Sequence, residues 1–289
     1  MCKMCVAYQD FMVDNERKNL SSETHRYYRE NLSRFIKWLA SEGIYKANKI
    51  SEDEVADYFL FLLRTVPNRT SVNTYMRAVR RFVNYLSEQK IIKPIKIAPL
   101  KDHYKIKSTF DDDETMLILN SVQANDDTSV IMLLLLSCGM RSRSLRELRV
   151  RDVHISDRYI DIKCTKNGEP LCLPISNAVA SVLQQYIAIY ARHDLLFVNS
   201  RGGMFNRDSL AKRINKRLRA LGIPSNKSGV HIFRHTFGKI MSMNSCPTAV
   251  LQKWLGHSDI RITQRYIDLY DSELKNTMNM LPTSNFQYL

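Results

Sequence analysis

The sequence predicts a mainly α protein with a small antiparallel β-sheet, divided into a helical N-terminal domain and a larger, mainly helical C-terminal domain. Three observations point there. Apolar residues recur at helical spacing through residues 1–90. A stretch rich in lysine with two prolines and no helical period follows, "IIKPIKIAPLKDHYKIKS" from Ile91 to Ser108. Beyond it helical periods resume, interrupted by two strand-like runs around an Asn-Gly turn. At 289 residues and 44% apolar content the chain is long enough to bury real cores. The expected division is a helical domain over 1–90, a basic linker over 91–108 and a second domain over 109–289.

A short helix is expected around Val6 to Val13. In "SETHRYYRENLSRFIKWLASEG" Tyr28, Leu32, Phe35, Ile36 and Leu39 share one helix face, with Ser22 as candidate cap and Gly43 as stop. "SEDEVADYFLFLLRTV" opens on Ser51 and acids that suit the positive end of a helix dipole. "RTSVNTYMRAVRRFVNYLSEQ" sets Val72, Met76, Val79, Phe82, Val83 and Leu86 on one face and Arg77, Arg80 and Arg81 mostly off it. Prolines and the missing period mark 91–108 as linker; its Lys101, Lys105 and Lys107 suit a strap along a phosphate backbone, although solvated linkers are also lysine-rich. After it, "DDDETMLILNSV" and the more apolar "DTSVIMLLLLSCGM" are helical. "DRYIDIKCTKNGEPLCLPI" then has strand character on either side of Asn167-Gly168. Further helices are expected at "SNAVASVLQQYIAIYA", "NRDSLAKRINKRLRALG", "HIFRHTFGKIMSM", "CPTAVLQKWLG" and "TQRYIDLYDSELKNTM".

Composition narrows the function class. The longest apolar stretch, Val130 to Leu136, is far too short to span a bilayer, and "MCKMCVAYQD" lacks the features of a signal peptide, so a cytoplasmic protein without membrane contact is expected. Residues 1–20 are too few for an additional folded module. The formal charge is +14 and the pI near 9.5, with cations in excess on both sides of Lys107, which points to a polyanion partner, most often nucleic acid. Charge alone leaves open a merely basic protein. Six cysteines show no repeated spacing, and the Cys2-x-x-Cys5 pair has no second pair at zinc-ribbon spacing.

"VHIFRHTFGKIM" brings His231, Arg234 and His235 within five positions. Zinc is disfavoured, because the Glu of H-E-x-x-H is missing and Arg234 would set a fixed cation beside the ion. His231 and Arg234, three apart on one helix face, instead offer an imidazole and a guanidinium to an anionic oxygen such as a phosphate. Arg141 follows a Gly-Met step that ends an apolar helix. Lys166 stands at the hairpin tip, His257 follows a Leu-Gly helix stop, and Tyr266 and Tyr270 come nine and thirteen residues after it. Tyr266 and Tyr270 share a helix face, and physics alone does not choose between them.

In order and spacing these elements, an Arg, a hairpin Lys, H-x-x-R-H, L-G-H and a Tyr nine residues on, resemble the tyrosine recombinase family, also called the phage integrase family. By motif the resemblance covers about Phe110 to Tyr270. It implies a helical core-binding domain of SAM-like type before a catalytic domain with a C-terminal exchange segment, and an enzyme that recombines double-stranded DNA at specific sites, as an integrase, resolvase or transposon-encoded recombinase. Residue by residue, it implies that Arg141 and Arg234 grip the scissile phosphate and that Lys166 protonates the leaving 5′ oxygen. His231 and His257 complete the pocket, and Tyr266 is the nucleophile of a 3′-phosphotyrosyl intermediate. Arg77, Arg80, Arg81, Lys101, Lys105 and Lys107 are the candidate DNA-backbone contacts. The implied chemistry requires no metal, since arginines balance the phosphate charge, and no cofactor, since the tyrosyl ester conserves the phosphodiester energy. The implied partners are inverted-repeat core sites and a homo-tetramer in the synapse, with room for accessory DNA-bending proteins and with "SELKNTMNMLPTSNFQYL" as the segment that packs on a neighbour.

One departure stands out: the acid usual three positions after the first arginine is Ser144 here, with Glu147 one turn later. His235 and Tyr270 are expected to pack, Trp254 to be core, and Arg143, Arg146, Arg149 and Arg151 to form a solvated face. A type IB topoisomerase-like enzyme and a DNA-binding regulator without the reaction are the competing functions. The short helical N-terminal domain disfavours the first, and the complete set of polar candidates the second.

Overall fold

The computed structural model of the chain describes residues 3–100, 107–163, 170–190, 193–256, 259–260 and 263–264. Its contacts divide into two compact units, Met1–Lys105 and Ile106–Leu289. Among the described residues no helix is long and apolar enough to cross a membrane.

The first unit is built from α1 (Met4–Arg17), α2 (Ser22–Ser41), α3 (Glu52–Thr65) and α4 (Arg69–Glu88). Each boundary has a local cause. Ser21, one residue earlier than the expected Ser22, caps α2 by accepting from the Thr24 N–H at 3.2 Å. Ser51 and Glu54 form a reciprocal capping box on α3. Gly43 takes the left-handed conformation, φ 77°, that ends α2. The apolar stripe of α4 is the keel of the core: Val72, Met76, Val79, Phe82, Val83 and Leu86 are all buried, against Phe11, Leu32, Phe35, Leu39 and Leu62. Each such side chain contributes about 1.5–3 kcal/mol by leaving water.

The stretch after α4 departs from a simple solvated linker. Ile91, Ile92, Ile95, Ile97 and Leu100 pack against the first core. Asn73 clasps Leu100 in both directions, Oδ1 accepting from its N–H at 2.9 Å and Nδ2 donating to its carbonyl at 3.1 Å. Arg80 Nε donates to the Ile97 carbonyl at 2.8 Å. An extended segment buries side chains without a helical period, so its composition resembled linker alone.

The second unit contains α5 (Asp112–Asn120), α6 (Asp127–Cys138), the short α7 (Ser142–Arg146), strands β1 (Val153–His154), β2 (Tyr159–Ile162) and β3 (Leu171–Pro174), and α8 (Asn177–Tyr190), α9 (Arg207–Ala220), α10 (His231–Met243) and α11 (Thr248–Leu255). The sheet is antiparallel in the order β1-β2-β3, with Ile160 opposite Leu173 and Ile162 opposite Leu171. Helix α6 is buried on nearly all sides, as its uninterrupted apolar run requires. Asp126 caps its start, and Gly139 ends it at φ 59°. Helices α8, α9 and α10 pack on α6, so it is the axle of this core.

Candidate active site

The site is assembled at the C-terminal ends of α6 and α11, where unsatisfied carbonyls and the negative ends of the helix dipoles meet. Arg234, in the second turn of α10, is 7% exposed. Its Nη1 donates to the Gly139 carbonyl at 2.8 Å, and its Nη2 donates to the Leu255 carbonyl. Arg141, at the start of α7, donates from Nη2 to the Gly256 carbonyl at 2.7 Å. Trp254 Nε1 adds a bond to the Cys138 carbonyl at 3.1 Å. These acceptors are neutral, so the bonds fix both guanidinium groups in place without cancelling their charge. Burial lowers the Arg141 pKa from its usual value, yet an arginine stays protonated at neutral pH.

Two glycines let these ends approach. A Cβ on Gly139 would lie 2.6 Å from Phe237 Cδ1, and one on Gly256, φ 55°, would lie 3.1 Å from Arg141 Nη1 and 3.7 Å from Leu171 Cδ2. Leu171 opens β3, so the turn-proximal end of the β2–β3 ladder reaches the same corner as Arg141 and the Leu-Gly step.

His231 is the first residue of α10, one turn before Arg234. It keeps an exposed surface, yet partial desolvation of its ring, followed by the charges of Arg207, Arg234 and Arg141, holds its pKa below the usual imidazole value. His235 is half-buried, and its pKa falls to about 4 through desolvation first and then the electrostatic influence of the neighbouring His231, Lys107 and Arg234. Both imidazoles are therefore neutral near pH 7.

Arg141, His231 and Arg234 are thus brought together. Lys166, His257 and Tyr266 lie outside the described residues, as do Tyr270, Lys101 and Lys105. Lys107 is exposed and acts electrostatically on His235. In the first unit Arg77 is exposed on α4, Arg81 pairs with Glu88 at 3.5 Å, and Arg80 is engaged by the Ile97 carbonyl. Arg80 is therefore a brace for the strap as much as a candidate backbone contact.

The departure at Ser144 resolves into a separate polar cavity of about 360 Å³, lined by Ser144, Glu147, Asp152 and Lys163 among others. Glu147 Oε1 accepts from Arg143 Nε at 2.8 Å, and the buried Asp152 pairs with Lys163. The arginine run is only partly a solvated face: Arg149 pairs with Asp194, while Arg146 Nη1 donates to the Phe205 carbonyl at 3.0 Å. Arg207, the first residue of α9, was not singled out from sequence. Nothing but its place in space connects it to His231. Among the described residues no group of three or more His, Cys, Asp or Glu is placed to hold a metal ion.

The profile of the phage integrase family matches residues 109–273, and that of the phage integrase N-terminal SAM-like domain matches residues 13–90. The tyrosine recombinase XerA of Saccharolobus solfataricus is 27% identical over 93% of this chain and 81% of its own length. The tyrosine recombinase XerD of Halalkalibacterium halodurans is 24% identical over 90% of this chain and 91% of its own. Among solved structures, the XerH site-specific recombinase bound to palindromic difH substrate superposes with a TM-score of 0.74 at 18% identity, over 90% of this chain and 80% of that one. The Tn1549 transposon integrase in complex with a circular intermediate DNA gives 0.73 at 16% identity, over 97% and 100%. With a family profile spanning more than half of its length, and its arginines converging on one corner, the chain belongs to the phage integrase family and is a tyrosine recombinase.

Proposed function

We propose that the chain cleaves and rejoins double-stranded DNA at specific inverted-repeat core sites through a 3′-phosphotyrosyl intermediate, acting as a homo-tetramer on two sites. The observation that carries this reading is the pair of guanidinium groups fixed by the carbonyls of Gly139, Leu255 and Gly256, which converges two cations next to the Leu-Gly step of the L-G-H motif. Such a pair suits the non-bridging oxygens of one phosphate, whose negative charge grows as phosphorus becomes pentavalent. Tyr266 attacks the phosphorus, the bond to the 5′ oxygen breaks, and Lys166 protonates that oxygen as it leaves. The Leu171 end of the hairpin beside Gly256 supports bringing Lys166 to this side. His231, neutral near pH 7, and His257 take up the proton leaving the Tyr266 phenol. Attack by a different 5′ hydroxyl then reverses the chemistry and joins the new strand.

In this reading the Met1–Lys105 unit supplies backbone contacts through α4, where Arg77 is exposed and Arg80 and Arg81 are less so, and Lys101, Lys105 and Lys107 follow the phosphates into the second unit. The segment after Tyr270 packs on a neighbouring copy, and DNA-bending proteins assist where the site demands it. The protein works in the cytoplasm, where its DNA is. The test is a denaturing gel of the full chain on a nicked suicide duplex carrying the inverted repeats that flank its gene. The wild-type chain is expected to give a covalent protein–DNA adduct and Tyr266→Phe none. An adduct from Tyr266→Phe at the wild-type level overturns the nucleophile assignment.

A further inference from the structure

Helix α10, which carries His231 and Arg234, is held by polar contacts from two sides, and only one of them belongs to the arginine corner. The fork of Arg234 to the carbonyls of Gly139 and Leu255 secures that side. On the other lies Phe110, fully buried and two residues ahead of α5. The Thr236 hydroxyl, also fully buried, accepts from the Phe110 N–H at 2.9 Å and donates to the Ile232 carbonyl at 2.9 Å. Lys239 Nζ donates to the Phe110 carbonyl at 3.4 Å, so both backbone polar groups of Phe110 are bound to α10. The Phe110 ring meets Phe233 edge to face, with centroids 5.0 Å apart. Phe110 is itself anchored from behind, because Asp111 belongs to the capping box of α5 and pairs with Lys227 at 3.0 Å.

Two residues along a helix turn through about 200°, so Arg234 and Thr236 leave α10 in directions about 160° apart. Holds on nearly opposite sides resist rotation of a helix about its axis better than either does alone. His231 is the first residue of α10, and Val230 before it has no side-chain group that could cap the helix. The direction of the imidazole therefore follows the rotation of the helix body. We infer that Thr236, with Lys239 beside it, is a positioning residue for the cleavage step: its bond to the Phe110 backbone sets the rotation of α10, and through it the direction in which His231 faces the phosphate. This rests on the role proposed above for His231. Thr236 is fully buried, so it acts through the helix and not on the DNA. A hydroxyl is needed because one atom both donates and accepts. Valine has nearly the same shape but neither capacity, and it leaves the Phe110 N–H facing a methyl group.

The experiment compares the full chain with Thr236→Val, Thr236→Ser and Lys239→Met. It measures Kd for the suicide duplex, the single-turnover rate of adduct formation at saturating protein, and the NMR ring resonances of His231 without DNA. Thr236→Val is expected to slow adduct formation about tenfold while Kd stays within about twofold of wild type, and to shift the His231 resonances. Thr236→Ser restores the hydroxyl, so its rate should return to within about twofold of wild type and the resonances to their original positions. A role in stability alone would lower the melting temperature and leave the rate of the folded, saturated complex unchanged. Lys239→Met keeps the stem without the donor and should slow the rate about threefold; it decides the matter if Thr236→Val does not fold. A wild-type rate from saturated Thr236→Val, or in that case from Lys239→Met, overturns the inference, as does a Thr236→Ser chain as slow as Thr236→Val. The His231 resonances need no cleavage. A chain that forms no adduct yet shows the shift and its recovery therefore sinks the cleavage reading and leaves the placement of His231 by Thr236 standing.

Discussion

Arg141 and Arg234 hold to peptide carbonyls, and that choice of partner sets what their substitution should do. A guanidinium forks to two acceptors in fixed directions, whereas an ammonium does not. Arg234→Lys keeps the charge but cannot reach both Gly139 and Leu255, so adduct formation in single-turnover assays should fall by about 100-fold or more. His235 makes a prediction in pH rather than rate. Its folded pKa of about 4 lies below the ordinary 6.5, so between those values the unfolded chain binds more protons than the folded one. Stability therefore falls as pH drops from about 6.5 toward 4, by on the order of 2–3 kcal/mol, with little change above neutrality. Urea midpoints at pH 7 and pH 4.5 should separate by less in His235→Gln than in wild type. Much at this scale was legible in sequence, because the spacing of His231 and Arg234 on one helix specifies a shared face. Their carbonyl partners were not, since a backbone acceptor leaves no trace in residue identity, and Arg207 reached His231 only through tertiary packing.

Helix ends, more than helix bodies, carry the design of the second unit. The period of apolar residues predicted α10 as "HIFRHTFGKIMSM", and the helix runs His231–Met243. Strand β1 escaped notice because Val153–His154 is too short to show alternation, and adjacent serines made the start of α2 ambiguous by one position. The strap after α4 was legible as non-helical but not as docked. Gly139 ties element to site: Gly139→Ala would strain a φ of 59° and push Cβ to 2.6 Å from Phe237. It should cost about 2–4 kcal/mol in thermal or urea unfolding and slow cleavage by misplacing Arg141. Gly43→Ala is the control, because φ is 77° there but nothing lies within 4 Å, and about 1 kcal/mol is expected with no effect on cleavage. Asn73→Ala removes both bonds to Leu100, so amide exchange at Leu100 should accelerate while the amides of α4 keep their protection.

The whole molecule is a polycation of +14, and its affinity for DNA should be governed by counterion release. A plot of log Kobs against log salt for duplex DNA should be steep, and Arg77→Ala should flatten it by about one unit of slope if that exposed side chain neutralises one phosphate. Arg80→Ala should change the slope less and the strap's exchange more, because the Ile97 carbonyl holds its guanidinium. The bonds at the arginine corner also have a consequence for how the protein comes into being. Arg141 meets a carbonyl 115 residues downstream, and Arg234 one that lies 95 residues upstream. Closing such long loops comes late and rewards the chain only once both helix ends exist. A ribosome must therefore release Leu255 and Gly256 before the two cations can converge. A chain that stops short of Gly256 thus keeps its basic charge but cannot pin Arg141 and Arg234 in one place.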